Sequence, residues 1–424
     1  MRRAVRTTSL SLAAVILAAA CESDEIFTEP VPDREDLLLH TLNSRITDGI
    51  SEEIVLNAPD GLQSVLFEVR GDKGLYSISR FHTPNGELIE GAAYMTRHAR
   101  AVPGLVDWLY PNTPNLELSG GKYRLTLLGE TPSGGRLTED VEIRVYAKKE
   151  QEFDTCGIKL DFLIDRNAID QADIGIALET ATGWVNNLFA PRGVRILEYT
   201  DTDITLPNPN FDVDETATVM SQIDDLLAQA RRQGRAREGN LHVVLVRTIG
   251  GPEPSGYSMG LPGPFDADRP NAAVLVSTDA YTRNGFLDVP GLASTIAHEL
   301  GHFLGLYHTS ESSGTQHDPL PDTPQADDDG DEFDRNIMTG GGGARRNIFT
   351  EDQAFVFKRH PLCVPTKFEP PPPVTCDLTC TPPTTCGIVD GNKACRQACD
   401  PDAAEPTCTT GMCRPDDLGT YICR

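Results

Sequence analysis

The chain has 424 residues, 39% of them hydrophobic, which is more than one ordinary core and suggests two or three domains. A formal net charge of -26 excludes a broad basic surface for nucleic acid or for anionic lipid headgroups. Eleven cysteines, eight of them crowded between Cys376 and Cys423, fit an oxidising compartment.

The N-terminus carries Arg2, Arg3 and Arg6, then a short apolar run from Leu10 to Ala20. That run is too short for a stable membrane span and predicts a signal peptide over residues 1–20. It ends Leu17-Ala18-Ala19-Ala20-Cys21, and small residues before a cysteine resemble the lipobox of bacterial lipoproteins, with Cys21 as the lipidated residue. Plain secretion, leaving Cys21 a spare thiol, is the alternative. Either way the chain is expected outside the cytoplasm, and it touches a membrane only through that anchor. Residues 21–50 are acidic and proline-punctuated and read as an irregular tether.

Residues 51–150 read as all-β. Ser64–Arg70, Lys122–Leu128 and Val141–Tyr146 alternate or run apolar, and Asn85-Gly86, Gly120-Gly121 and Gly134-Gly135 supply turns. A small β-sandwich-like domain is expected, serving as a ligand-binding module, a spacer or a prodomain. From residue 155 to 365 the pattern changes to alternating strands and helices, which predicts an α/β or α+β domain. Its strands are Ile158–Ile164, Val194–Tyr199, Leu241–Arg247 and Ala272–Ser277. Its first two helices are Ile169–Phe189 and Glu215–Arg232. A proline run over 366–375 forms a stiff linker. The eight cysteines of 376–424, without paired C-x2-C spacing or histidines, read as a disulfide-stapled module rather than a zinc knuckle.

One segment carries chemistry: His298-Glu-Leu-Gly-His-Phe-Leu-Gly-Leu-Tyr-His308. Four steps of about 100° bring His302 back to the helix face of His298, so both imidazoles can grip one ion. Glu299 stands one step round the helix, placed to take a proton from water rather than to ligate. His308 lies six residues past His302, and a continued helix would point it about 120° away. The helix must therefore stop, and Gly305 is where a left-handed ending is easy. Asp288 and Pro290 suit the cap and first turn of this helix. Three converging histidines with a fourth position open describe a catalytic zinc site.

These eleven residues resemble the zinc-binding consensus of the metzincin metallopeptidases. Leu304–Thr309, Asp322-Thr323-Pro324 and Phe349-Thr350-x-x-Gln353 are similar to the pappalysin or cytophagalysin type. The resemblance implies a zinc endopeptidase acting on protein or peptide substrates. His298, His302 and His308 would hold Zn2+, Glu299 would act as general base, and Met338 would form a methionine turn beneath the metal. It also allows a Ca2+ site in the acidic loop from Asp318 to Asp334, where a merely solvated loop is the alternative. Where the family often has Phe after the His-Thr pair this chain has Ser310, and Thr339 followed by four glycines replaces the tyrosine expected after the methionine turn. Cys156 and Cys363 bracket the region and read as a disulfide, with Cys156 as an inhibitory metal ligand the rival. Ser255–Gly263 reads either as the rim of a substrate cleft or as a plain loop. A surface-anchored binding protein with an idle metal site, and a zinc amidase acting on cell-wall peptides, are the competing functions.

Overall fold

In the computed structural model the described residues are 29–86, 88, 102–165, 171–205, 210–211, 216–250, 255–283, 286–311, 316–326, 331–340, 346–371, 384–389, 392–397, 413–415 and 421–423. The predicted signal peptide and Cys21 lie outside them, as do Asp327 to Asp329, Gly341 to Gly343 and most of the cysteine tail.

Nine strands build the N-terminal sheet. They are β1 (Glu29–Val31), β2 (Arg34–Thr47), β3 (Ile50–Ser51), β4 (Ile54–Ala58), β5 (Leu62–Arg70), β6 (Leu75–His82), β7 (Leu105–Tyr110), β8 (Gly121–Glu130) and β9 (Glu139–Lys149). All pair antiparallel, in the order β4-β8-β3-β2-β9-β5-β7, with β1 on β2 and β6 on β8. The two ends of that order meet in one apolar core. Phe81 of β6 lies 5.8 Å from the Phe67 ring of β5 and 5.1 Å from the Tyr110 ring of β7, so the sheet curls back on itself in sandwich fashion. The expected tether is corrected here. Residues 34–47 are a strand, because Leu37 and Ile46 are fully buried and the backbone between them zips onto β9. Acidic residues and prolines at the start of this stretch mask that pattern.

The second unit is a mixed α/β layer. Its strands β10 (Cys156–Asp165), β11 (Val194–Ile204), β13 (Leu241–Val246), β15 (Gly256–Ser258) and β16 (Ala273–Ser277) run in the order β11-β10-β13-β16-β15. All neighbours are parallel except β15, which pairs antiparallel to β16 at the edge. Short ribbons join β12 (Asn210–Phe211) to β14 (Thr248–Ile249) and β17 (Thr282–Arg283) to β18 (Phe286–Leu287). The helices are α1 (Gln171–Phe189), α2 (Thr216–Arg232), α3 (Val289–Phe303), α4 (Asp331–Arg335) and α5 (Glu351–Arg359). Helix α3 is apolar nearly all round and buried from Gly291 to Phe303, as a helix crossing the centre of a domain must be. The Asp288 carboxylate accepts from the Gly291 N–H at its start, and Pro290 occupies the first turn.

After α5, strand β19 (Val364–Pro365) returns antiparallel to the start of β10, and Cys156 and Cys363 form a disulfide there. This excludes Cys156 as a metal ligand in this state. In the tail, β20 (Thr384–Val389) pairs β21 (Asn392–Gln397) and β22 (Cys413–Pro415) pairs β23 (Tyr421–Cys423), and Cys395 and Cys423 are disulfide-bonded. Among the described residues no helix is long and apolar enough to cross a membrane.

Candidate metal centre

The centre is built by one helix end and the turn that follows. Helix α3 stops at Leu304, and Gly305 adopts φ +107°. The Gly305 N–H donates to the His302 carbonyl at 3.0 Å and the Leu306 N–H to the Gly301 carbonyl at 2.9 Å. This is the paired 5→2 and 6→1 closure of a Schellman ending, which only a left-handed residue permits. It folds the chain back so that His308 faces the helix. The ring centroids of His302 and His308 are 4.7 Å apart, and those of His298 and His308 5.3 Å.

Each imidazole has its outer nitrogen engaged. His298 Nδ1 meets the Ile337 carbonyl, His302 Nδ1 meets the Leu306 carbonyl at 2.8 Å, and His308 Nδ1 meets Glu311 Oε2 at 3.3 Å. Carbonyl oxygens only accept, so Nδ1 carries the proton in the first two rings and the lone pair is left on Nε2. His302 Nε2 and His308 Nε2 stand 3.1 Å apart, and one nitrogen from each of the three histidines lies within 4.8 Å of the others. Two nitrogens bound to a tetrahedral zinc at about 2.0–2.1 Å would sit about 3.3 Å apart, so the donor set fits that ion. Burial, then the nearby Arg346 charge and the other two imidazoles, holds the His298 pKa well below its ordinary value. The ring stays neutral and ready to ligate.

Met338 is fully buried beneath this helix, with its sulfur against Gly301, where a Cβ would come within 2.3 Å. The Met338 N–H donates to Asn336 Oδ1 at 2.9 Å, and its carbonyl accepts from the Thr309 N–H. Asn336 is in turn held by Gln353, whose side chain closes the capping box of α5 with Thr350. Glu299 is buried on the flank of α3, and edge strand β15 passes directly beside it. A Cβ on Gly256 would stand 2.6 Å from Glu299 Cγ and Oε1.

Three participants were invisible to motif reasoning. Glu311 and the Ile337 carbonyl orient ligands but belong to no spacing rule. Arg346 is buried, and its charge reaches Glu299 and His298. An arginine in a glycine-rich stretch reads as solvent-facing. The calcium expectation finds no support among the described residues. Asp318 turns inward onto the Leu320 N–H and the Thr323 hydroxyl, and Asp322 accepts from the Asp352 N–H. His317 bonds to Ser310 rather than joining the three histidines.

Residues 269–354 match the family model Peptidase_M43, described as pregnancy-associated plasma protein-A. The match takes in α3, the Gly305 turn and Met338, so this segment is similar to that of pappalysin-type metallopeptidases. It spans less than half of the chain. No curated protein matches. Among solved structures the chain is similar to metalloproteinase-II from Bacteroides fragilis, at 12% identity and a TM-score of 0.32, over 51% of this chain and 61% of that one. The aligned part is less than two thirds of that protein, and a likeness so low decides nothing about mechanism.

Proposed function

We propose that this chain is an exported zinc-dependent endopeptidase. The observation that carries the reading is the convergence of three imidazole nitrogens, two of them with a settled tautomer, beside a buried glutamate. His298, His302 and His308 would hold the metal. Zinc, when bound, supplies a Lewis acid that polarises the scissile carbonyl and acidifies water. Glu299 would take a proton from the attacking water and return it to the leaving amine. Strand β15 ends the described sheet order and runs beside Glu299, a rim along which a peptide can lie extended. Met338 keeps the floor under the histidines apolar and dry.

Substrates are proteins or peptides. The signal-like N-terminus and the disulfide-bonded cysteines favour a location outside the cytoplasm, with Cys21 as a lipid anchor. A binding protein with an idle metal is disfavoured by Glu299, since a merely structural metal has no use for a buried carboxylate at that position.

Glu299→Ala should retain zinc at wild-type stoichiometry while its turnover of casein or a quenched peptide pool falls by about 10²–10⁴-fold. Wild-type turnover in that variant would remove Glu299 from the reaction. Chelation that strips the metal and leaves hydrolysis intact would end the zinc reading altogether.

A further inference from the structure

The N-terminal sheet has strands buried on both faces, although a curled sheet needs only its inner face covered. Successive side chains of a strand point to opposite sides. On β5, β7 and β9 the residues Val65, Phe67, Val69, Val106, Trp108, Tyr110, Val145 and Ala147 fill the sheet's own core. Their alternates, on a continuous outer face shared with β2, are mostly buried as well, with Arg144 and Leu39 half-buried.

The pairing register sorts that outer face into three rows. In the first, Arg144, Glu68 and Asp107 lie side by side. Glu68 accepts from the Phe265 N–H at 2.6 Å and from Arg269 at 3.1 Å, Asp107 meets Arg269 at 2.8 Å and Asn271 at 2.7 Å, and Arg144 meets Asp266 at 2.6 Å. In the second, Leu39, Tyr146, Leu66 and Leu109 run across four strands and join the same apolar cluster as helix α3. In the third, Leu37, Lys148 and Ser64 face the end of α5, where Lys148 Nζ donates to the carbonyls of Lys358, His360 and Cys363 and Ser64 to that of Arg359. The segments so gripped flank the metal centre. Leu109 Cδ2 packs where a Gly305 Cβ would stand 3.1 Å away, and the Thr113 hydroxyl donates to the Pro319 carbonyl beyond His308.

We infer that the N-terminal β-sheet is a permanent half of the catalytic unit, and that Leu109 is a positioning residue that holds the Gly305 turn and thereby His308. This rests on the zinc reading above. A removable prodomain or a spacer would not bury Glu68, Asp107 and Arg269 nearly completely, because charges that deep are tolerated only when paired in one register. Its departure would also bare a contiguous apolar row. Among the described residues the covalent tie is the stretch 150–154, exposed except for half-buried Phe153, since the Cys156–Cys363 bridge lies wholly on the catalytic side.

The test uses the full chain with a site-specific protease site inserted after Gln151. Once cut, the two pieces should elute together and keep metal and hydrolysis; separation with either retained on the C-terminal piece overturns the inference. In parallel, Leu109→Ala is compared with Leu125→Ala, a like deletion in the sheet's own core. On folded protein, zinc affinity should fall about tenfold or more for the first and less than about twofold for the second, with Leu109→Met restoring it. Equal affinities in the two alanine variants would also overturn it. If the uncut wild-type chain holds no zinc, it is the metallopeptidase reading that fails instead.

Discussion

Each histidine of the candidate centre has its outward nitrogen committed to an oxygen, and this is what aims the inward ones. His302 is oriented by the carbonyl of Leu306, a residue of the same turn that delivers His308, so one bend sets two imidazoles at once. The identities of the three histidines and of Glu299 could be read from spacing, because helical geometry converts four residues into one face. Their orienting partners could not, because a backbone carbonyl leaves no trace in a sequence and Glu311 reads as one more acidic loop residue. The tight passage of Gly256 beside Glu299 was equally hidden. It yields a direct expectation: Gly256→Ala forces the carboxylate aside, since the new Cβ would stand 2.6 Å from Cγ and Oε1. A shift near an ångström costs about 10²-fold in turnover. Zinc content should be unchanged, because no imidazole is touched. Peptide turnover together with metal analysis checks this, and unaltered turnover would show that the carboxylate has room to move.

At the scale of elements, strands that alternate polar and apolar residues are ambiguous about what lies on the polar side. Glu68, Asp107 and Lys148 read as solvent-facing positions of a half-buried sheet, and only the docked second unit makes them interior. For the same reason the stretch 34–47 reads as a tether, while the parallel strands β13 and β16, apolar except for His242 and Ser277, were legible as buried strands. The buried carboxylates have a consequence for pH. Burial pushes Asp107 from 3.8 up to about 7, with Arg269 opposing and Glu68 adding to the rise. A raised carboxyl pKa means that the folded chain holds the proton more tightly than the unfolded one. The contribution of this group is therefore whole below about 3.8 and is lost as pH rises through about 7. Asp107→Asn, which carries no titrating proton, should flatten the slope of stability against pH between those limits. Denaturant midpoints measured at pH 4, 5.5 and 7 would reveal it, and an unchanged slope would place the pH dependence on another group.

Across the whole molecule, three pieces meet at Cys363. It is bridged to the first residue of β10, its carbonyl accepts from Lys148 of the N-terminal sheet, and it follows the end of α5, whose first turn is tied through Gln353 and Asn336 to the methionine turn. The bridge spans 207 residues of sequence, and so restrains nearly the whole catalytic region in the unfolded chain. Replacing both cysteines by serine should lower stability by about 2–5 kcal/mol. Bound metal stabilises through a separate route, by mass action: at a hundredfold excess over its dissociation constant it adds about 2.7 kcal/mol. Because neither cysteine is among the groups that hold the imidazoles, the two effects should add within about 0.5 kcal/mol. Unfolding midpoints of the four combinations, bridged or not and with or without zinc, measure this directly. A serine double variant that no longer gains from zinc would mean that the bridge holds the metal site itself and not only the ends of its domain.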